Sequence, residues 1–456
     1  MAHGPRRAGS AIAGRASVIH NPPALAGSRI FNYSGLKRGT MREILQHRPL
    51  RLVFIANMVS MVGSGMNMAA VVWYILQATH SEVALGTLLV LQTLPAMLIM
   101  PVSGVIIDRE DRRRLLMVLD AARALVILSV AVLALRHQAQ LWEVYLMAVL
   151  VASGFWMFWP TINALIQELT PHAQFVASNT FLLAAVQGGW LMAGALVGFV
   201  YNHIGLGGVL LIDVASYAVS FLCYLAVRKG RVVVRPADAA DQPEDAVAAF
   251  THELHEGIAY LRGKPYLVML GVSYACFLGA MLAQGVVTAP LSDRILKAGA
   301  VGYGWLNAGW AVGAFTSAFY SPPAIRVLGK RRSAGVAFSL LALSLVLLPF
   351  SRWLAIAVML YVLMGSGRGV GGVALNSNIM ELVPHHFMGR VQNTFMFFGI
   401  GLQLVLGFMV GLVAHRVGLL WGFVMIGAVY LLSVISALWP VRDETALKAL
   451  AETTAD

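Results

Sequence analysis

Apolar stretches of about 20 residues or more recur along most of this chain, and each is long enough to cross a bilayer. Inside lipid the backbone N–H and C=O groups of such a segment find partners only within a helix. The 456-residue composition agrees, with 59% hydrophobic and only 12% charged residues. We therefore expect an all-α membrane protein. Twelve transmembrane helices are predicted, at 50–77, 82–107, 115–136, 141–168, 175–202, 208–227, 266–291, 301–321, 333–350, 353–380, 388–414 and 419–439.

Basic residues are distributed unevenly between the two ends of these spans. Most of the 33 Lys and Arg residues fall on the side that carries both termini. The opposite side carries only Arg136, Arg294, Lys297, Arg352 and Arg416. By the positive-inside rule both termini are expected in the cytoplasm, in a multi-pass protein of a bacterial inner membrane. The net charge of +12 then reflects topology, and no nucleic acid is expected as a partner.

The chain divides into five predicted segments. Residues 1–42 are basic and are expected to be a disordered extension; a misassigned start and a mitochondrial targeting segment are the alternatives. Residues 43–227 and 266–440 each hold six spans and form two bundles. Residues 228–265 link the bundles in the cytoplasm, and residues 441–456 form a cytoplasmic tail.

The link contains one segment with helical periodicity. Its apolar positions are Val247, Phe250, Leu254, Ile258 and Leu261, with charged residues between them. This pattern predicts an amphipathic helix at the membrane surface. His252 and His255 are expected to be solvated, and no metal site is predicted.

An internal repeat relates the two halves of the chain. An offset of 213 residues superimposes Gly367 on Gly154, Asn376 on Asn163 and Glu381 on Glu168. The same offset superimposes Gly418-Leu419 on Gly205-Leu206. Identities at one fixed offset favour two homologous, pseudo-symmetric six-helix bundles. Glycines at Gly188, Gly194, Gly198, Gly401, Gly407 and Gly411 repeat likewise and permit close helix packing.

A short loop between spans two and three concentrates glycine, acid and arginine. It reads Gly104-Val-Ile-Ile-Asp108-Arg109-Glu-Asp-Arg112-Arg113, which resembles the signature loop of the major facilitator superfamily, Gly-x-x-x-Asp-Arg-x-x-Arg-Arg. The resemblance implies a cytoplasmic latch that opens and closes a transporter. A basic loop that only fixes topology is the alternative. Further latch candidates are Asp120, Glu168, Glu381 and Arg390, although Asp120 can instead pair with Arg123 three residues on, and the two glutamates can be plain helix ends.

Polar and aromatic residues recur at helical intervals in spans one, four, seven and ten, the spans that line the central cavity in the facilitator fold. The predicted cavity residues are Asn57, Ser64, Asn67, Trp156, Asn163, Gln284, Tyr361, Arg368 and Asn376. Hydrogen bonding between helices is the alternative for any single Asn or Ser. Arg368 lies midway along its span, where a cation needs water, a carboxylate or a ligand. A structural ion pair, contact with an anionic or polar substrate, and contact with the gating network are the open interpretations.

Proton coupling requires an acid that titrates in the membrane. No acid lies in the middle of the four cavity spans. The available candidates are Asp213, which we take as a possible coupling residue, and Asp120, Glu143, Glu168 and Glu381 as alternatives. The chain has no Walker loop, no zinc-ligand spacing and no Gly-x-Ser-x-Gly, so no enzyme activity and no cofactor are predicted.

Several motifs resemble the facilitator branch that contains macrolide exporters and the enterobactin exporter. Besides the loop, these are Pro160-x-x-Asn163-Ala164-Leu165, Ala177-Ser-Asn179, Asp213 before Ser216-Tyr217, Glu256-Gly257-Ile258-x-Tyr260-Leu261 and Gly389-Arg390-Val391. The resemblance implies a monomeric secondary transporter that exports a hydrophobic or amphipathic, drug-like or siderophore-like molecule by drug:proton antiport. A lipid or lysolipid transporter and a non-transporting membrane sensor or scaffold are the alternatives. The second-half counterpart of the loop departs from the motif, because Gly329-Lys330-Arg331-Arg332 carries no acid.

Overall fold

The computed structural model describes residues 47–170, 175–227 and 246–440. All regular secondary structure in these residues is helical. Predictions that concern the extension 1–42, the tail 441–456 and residues 228–245 of the link lie outside the described residues.

Twelve α-helices follow one another along the described chain. The N half contains α1 (Arg48–Thr79), α2 (Glu82–Arg109), α3 (Arg112–Leu135), α4 (Leu141–Leu169) and α5 (Phe175–Ala226). The linking helix is α6 (Ala246–Leu261). The C half contains α7 (Pro265–Pro290), α8 (Gly299–Leu328), α9 (Lys330–Leu347), α10 (Leu354–Leu382), α11 (His385–Arg416) and α12 (Leu419–Ala437). A π turn, Leu291–Ile295, extends α7, and a 3-10 turn, Leu348–Phe350, follows α9.

Ten of the described helices are long and apolar enough to cross a membrane. One of them is α5, which occupies both the fifth and the sixth predicted span. α8 is not among the ten, since glycine, serine, asparagine and proline dilute its apolar residues. The amphipathic helix predicted in the link corresponds to α6.

The long helix α5 bends at Gly205, between the two predicted spans. Gly205 has φ +64° and ψ −170°, a left-handed backbone that residues with a Cβ rarely adopt. Its repeat partner Gly418 has φ +126° and separates α11 from α12. The glycine pair that the repeat superimposes therefore makes the same chain reversal in both halves.

The backbone confirms the internal repeat. α4 and α10 both have 29 residues, and their first and last residues are 213 apart. α3 and α9 begin at Arg112 and Lys330, which gives an offset of 218 for these helices. The offset is 213 again at α10 because α10 begins 24 residues after Lys330, whereas α4 begins 29 residues after Arg112. Residues related by these offsets are called repeat partners below.

Packing divides the bundle into its two halves. Within the N half, α5 packs on α1 and α3, and α4 packs on α2 and α3. Within the C half, α10 packs on α8 and α9, while α7 packs on α11 and α12. The halves meet at two interfaces, α2 with α11 and α5 with α8, and α6 lies against α11.

The two interfaces between the halves are repeat copies of each other. A Cβ on Gly86 of α2 would lie 2.6 Å from the Gly407 carbonyl oxygen, and a Cβ on Gly304 of α8 would lie 2.9 Å from that of Gly194. Gly411 and Gly198 approach the carbonyls at the starts of α2 and α8 in the same way. Four of the six predicted packing glycines thus lie where one half contacts the other; Gly188 and Gly401 have no such neighbour.

Candidate functional site

The basic residues after α2 and after α8 make equivalent ion pairs. Arg112 Nη1 lies 3.4 Å from Glu168 Oε2 at the end of α4. In the C half, Lys330 pairs with Glu381 at the end of α10. The residues of one pair are the repeat partners of the residues of the other, and both members of each pair lie in the same half. We call the end of the bundle that carries these residues the basic end.

A second repeated contact at the basic end caps a helix in each half. Arg113 donates to the carbonyl oxygens of Tyr224 at 2.6 Å and Leu225 at 2.7 Å, where α5 ends. Arg331, its repeat partner, donates to the Leu438 carbonyl at the end of α12. A guanidinium in this position satisfies carbonyls that have no intrahelical partner, and its positive charge interacts favourably with the negative end of the helix dipole.

The other latch candidates do not form one network. Arg390 pairs with Glu256 of α6 at 2.9 Å. Asp120 is buried inside α3 and bonds to none of the loop arginines. Gly104 and Arg109 are exposed. The side chain of Asp108 lies outside the described residues, so its latch role stays a prediction.

A cross-half ion cluster lies at the opposite end, which we call the Glu82 end. Glu82 begins α2 and is 0% exposed. It pairs with Arg294 of the π turn after α7, and its carboxylate lies 3.3 Å from His415 Nδ1 near the end of α11. Arg294 also donates to the His80 carbonyl at 2.8 Å. The sequence analysis missed this cluster; its one signal was Arg294 on the side with few cations.

Cross-half contacts run from this cluster to the middle of the bundle. Gln403 of α11 donates to the Thr93 hydroxyl of α2 at 2.6 Å. Trp73 of α1 stacks on Tyr303 of α8 with ring centroids 6.0 Å apart. In the described part of the chain, the hydrogen bonds and ion pairs that join helices of the N half to helices of the C half lie between the middle and the Glu82 end. The structure is therefore a state closed at the Glu82 end.

The core of the N half contains a buried ion pair. Asp120 is 0% and Arg123 2% exposed, and their side chains bond at 2.5 Å. The Ser220 hydroxyl of α5 donates to the other Asp120 oxygen at 2.6 Å. The Arg123 guanidinium lies over the rings of Tyr217 at 4.4 Å and Phe158 at 4.8 Å, and its Nη1 is buried without an acceptor among the described residues.

A second carboxylate, Asp213 of α5, is fully buried in the same core. Asn67 of α1 donates to its Oδ2 at 2.7 Å, and the Ser216 hydroxyl lies 3.2 Å from its Oδ1. Both partners are neutral. Asp213 and Asp120 thus share a buried region. Among the described residues, Arg123 is the one guanidinium that attracts both carboxylates electrostatically.

Three predicted cavity residues of α1 belong to this core instead of an open cavity wall. Asn57 donates to the Tyr224 hydroxyl at 3.3 Å, Ser64 bonds to the Tyr217 hydroxyl at 2.8 Å, and Asn67 bonds to Asp213. The helical spacing was read correctly, but the polar face turns toward α5. Buried amides and hydroxyls need partners, and α5 supplies them.

The C half has apolar residues where the N half has this polar core. The repeat partners of Asp120 and Arg123 are Phe338 and Leu341, and that of Asp213 is Ile426; all three are at most 1% exposed. The glycines beside these positions establish the correspondence. A Cβ on Gly154 would meet the Arg123 side chain at 2.8 Å, and a Cβ on its partner Gly367 would meet Leu341 at 3.1 Å.

The α4 residues follow one half-buried stripe. Trp156 donates to the Gln92 carbonyl of α2 at 3.2 Å, and Asn163 donates to the Trp159 carbonyl one turn earlier at 3.0 Å. Both side chains stay partly exposed. They fit a wall that faces open space, as does the half-buried Asn376 of α10, the repeat partner of Asn163.

The remaining cavity candidates lie in the C half. Tyr361 donates to the Thr288 hydroxyl at 2.7 Å inside that half. Gln284 is 7% exposed, and its amide oxygen has no donor among the described residues. Arg368 of α10 places its Nε 3.1 Å from the Met281 sulfur and its guanidinium 4.7 Å from the Trp310 ring centre.

Comparisons with known proteins agree with this architecture. The chain is 22% identical to the multidrug efflux pump Tap of Mycolicibacterium fortuitum over 75% of its length and 83% of that protein. It is 22% identical to macrolide efflux protein A of Streptococcus pyogenes over 49% of its length and 54% of that protein. Its fold resembles the crystal structure of the nucleoside transporter NupG, with a TM-score of 0.69 at 12% identity over 86% of this chain and 98% of that one.

The family profile described as Major Facilitator Superfamily matches residues 53–399. That match runs from α1 into α11 and so spans helices of both halves. The chain is a multi-pass membrane transporter and belongs to the Major Facilitator Superfamily.

Proposed function

We propose that this transporter is a proton-coupled exporter of a hydrophobic or amphipathic small molecule, drug-like or siderophore-like, that works by alternating access. The observation that carries the proposal is the difference between the two ends. At the Glu82 end the halves are bonded to each other, whereas at the basic end the repeated ion pairs join each half to itself. Rocking of one half against the other exposes a central site to each side in turn.

The distribution of basic residues supports an orientation of the protein in the membrane that suits export. Arg112 to Arg114 and Lys330 to Arg332 lie at one end, which by the positive-inside rule faces the cytoplasm. With that orientation the described state opens toward the cytoplasm, where an exporter collects its substrate. Both termini then lie in the cytoplasm and the protein acts as a monomer in a bacterial inner membrane.

The buried core of the N half supports coupling to protons. Arg123 compensates one carboxylate, Asp120, at ion-pair distance. A second ionised carboxylate in the same dry region lacks a cation of its own and is costly, so Asp213 is suited to gain and lose a proton. Its bond to Asn67 joins α5 to α1, and a change in its charge alters the contact between two helices that pack along their length.

The named relatives support the substrate class. Both are called efflux proteins, one for macrolides and one for several drugs. The half-buried stripe of α4 offers Trp156 and Trp159, whose rings suit an apolar or aromatic body. Asn163 on the same stripe offers an amide for orientation.

The test is flux of small molecules in proteoliposomes with and without an imposed proton gradient. The panel contains radiolabelled erythromycin, a DNA-staining dye, a catecholate siderophore, lysophosphatidylglycerol and a dansyl-labelled fatty acid. We expect at least one panel member to move only when the gradient is present, and protein-free liposomes serve as the control. Flux of lysophosphatidylglycerol alone would favour the lipid transporter, and no flux of any member would favour a sensor or scaffold.

A further inference from the structure

The C half contains one charged side chain in the middle of a membrane helix, and its surroundings supply no opposite charge. Among the described residues, no carboxylate lies within ion-pair distance of Arg368, which lies midway along α10. Its repeat partner in the N half is Phe155. A structural ion pair, the first of the interpretations of this residue, is therefore not found in the described part of the chain.

The protein contacts of Arg368 leave much of its hydrogen-bonding capacity unused. Its Nε faces the Met281 sulfur at 3.1 Å, and a thioether is a weak acceptor. Its charge lies over the Trp310 ring, which attracts a cation without accepting a conventional hydrogen bond. No acceptor for its two terminal nitrogens is found among the described residues. A planar guanidinium in this condition is matched to a carboxylate or phosphate group.

Two further polar atoms near this position lack protein partners. Gln284 lies one helical turn beyond Met281 on α7, and its buried amide oxygen has no donor in the described chain. Tyr430 of α12 is fully buried, is an electrostatic neighbour of Arg368, and its hydroxyl is likewise without a partner there. Buried polar groups in folded proteins are nearly always satisfied, so unsatisfied ones beside an unpaired cation indicate a ligand.

A cavity at the basic end of the C half is lined by side chains with the same sign of charge as Arg368. This cavity of about 510 Å³ is lined by Arg326, Lys330, Arg331 and Arg332, with Glu381 as the one acid of its lining. Glu381 lies on α10, thirteen residues from Arg368, or about 20 Å along the helix axis. The positive potential of such a cavity raises the local concentration of anions and lowers that of organic cations.

We propose that Arg368 binds an anionic head group of the transported molecule, a carboxylate or phosphate, while the apolar body packs against Trp310 and Met281. The inference rests on the proposed export function and deepens it, because it makes the substrate an amphipathic organic anion. A drug-like organic acid and a single-chain anionic lipid share this chemistry.

The test measures binding to the full-length protein in nanodiscs, where no gradient or transport is needed. The probes are dansylaminoundecanoic acid, its primary amide and the corresponding dansylaminoundecyl amine, which differ only in the head group. We expect the acid to bind about tenfold more tightly than the amide, equivalent to about 1.4 kcal/mol, and the amine to bind most weakly. Competition of the acid probe by lysophosphatidylglycerol, but not by short aromatic acids, assigns the site to a lipid; the reverse assigns it to a drug-like acid.

Variants tie the preference to the residue. Arg368→Gln removes the difference between acid and amide, and Arg368→Lys keeps most of it; Arg352→Gln, an exposed arginine just before α10, leaves it unchanged. Equal affinity of wild type for acid and amide, or a full preference in Arg368→Gln, overturns the inference. If wild type prefers the acid but shows no gradient-driven flux, the proposed export is overturned and the anion site is retained. If it shows gradient-driven flux but no preference for the acid, the anion site is overturned and the export is retained.

Discussion

The two halves of this transporter have one backbone design and two different distributions of charge. The 29-residue length of α4 and α10, the glycine reversals at Gly205 and Gly418, the glycine interfaces and the helix caps at the basic end all repeat. The buried charges do not. Asp120, Arg123 and Asp213 correspond to Phe338, Leu341 and Ile426, and Arg368 corresponds to Phe155.

The comparison teaches that packing and chemistry are separable in this fold. Each half packs its helices in the same arrangement, so the contacts that stabilise this packing are found in both halves. Ionisable groups in a membrane are costly, and a single copy suffices for a proton site or for a ligand site. We infer a division of roles, in which the N half carries the proton and the C half carries the charge that meets the substrate.

The same asymmetry is found at the interfaces between the halves. The carbonyl at the start of α2 contacts Gly411 as the carbonyl of Ala300 at the start of α8 contacts Gly198. Only the first interface carries an acid, because Glu82 corresponds to Ala300. The N half thus supplies the acid of the cross-half cluster too.

The largest expected effect comes from the group that we place at the centre of coupling. Asp213→Asn keeps the hydrogen-bonding shape at Asn67 and Ser216 but cannot exchange a proton. We expect gradient-driven flux to be abolished and substrate exchange without a gradient to persist, as measured in proteoliposomes. Asp293→Asn, which changes an exposed acid after α7, is the matched control. Undiminished gradient-driven flux in Asp213→Asn would contradict the division of roles.

The next effect is on stability and compares the two cores directly. Arg123→Met leaves the buried Asp120 carboxylate without its cation and is expected to lower the free energy of unfolding by about 3–5 kcal/mol. The double variant Asp120→Asn with Arg123→Met removes both charges and recovers most of that loss. Thermal unfolding of purified protein reports both values.

A control variant in the C half isolates the charge contribution. Leu341→Met, at the repeat partner of Arg123, is expected to cost less than about 1.5 kcal/mol. If Arg123→Met and the double variant unfold at the same temperature, the ion pair contributes nothing and the comparison of the cores fails.

A smaller effect is expected at the Glu82 end. Glu82→Gln weakens the bonds to Arg294 and His415 by about 2 kcal/mol, which shifts the equilibrium toward opening of this end about 30-fold. Spin labels at Gln138 and Val417, exposed sites in opposite halves at this end, report longer distances in the variant. Ala300→Ser at the repeat partner serves as the control at the second interface. Unchanged distances in Glu82→Gln would show that the glycine contacts alone close this end.

The smallest effect tests the part of the comparison that is symmetric. Arg113→Ala and Arg331→Ala each remove a guanidinium from a helix end and are expected to cost about 1 kcal/mol alike. Thermal unfolding of the two variants is the measurement. A large difference between them would mean that one loop also acts as a latch, as the signature motif predicts for the N half.

Much of the fold follows from the sequence. Apart from the end of α8, the apolar segments predicted the helix ends within a few residues, and the 213-residue repeat predicted the two halves. The repeat also superimposed Gly418 on Gly205, where the structure has the two chain reversals. These succeed because the length of an apolar run and the position of a glycine act locally on the backbone. The second offset was not visible in the sequence; it arises because the stretch from the start of α9 to the start of α10 is shorter than that from α3 to α4, which only the helix starts reveal.

Less of the candidate site was visible in the sequence. Asn57, Ser64 and Asn67 were correctly grouped on one helix face, yet nothing in their spacing tells whether that face meets water or α5. Glu82 and His415 lie 333 positions apart, and no motif or helical period relates them. Periodicity gives the relative orientation of residues on one helix and gives no information on which neighbour the face contacts.

By itself the sequence determined the membrane class, the helix positions, the repeat and the resemblance to the facilitator family, because each rests on local hydrophobicity or on a short motif. Only the tertiary structure decided which charges are paired within a half, which cross between halves, and which are left unpaired. The reason is physical: the free energy of an ionisable group in a membrane depends on its partners in three dimensions. Arg112, Arg123 and Arg368 have the same side chain. The three-residue spacing already offered Asp120 to Arg123, whereas only the structure pairs Arg112 with Glu168 and leaves Arg368 without a carboxylate among the described residues.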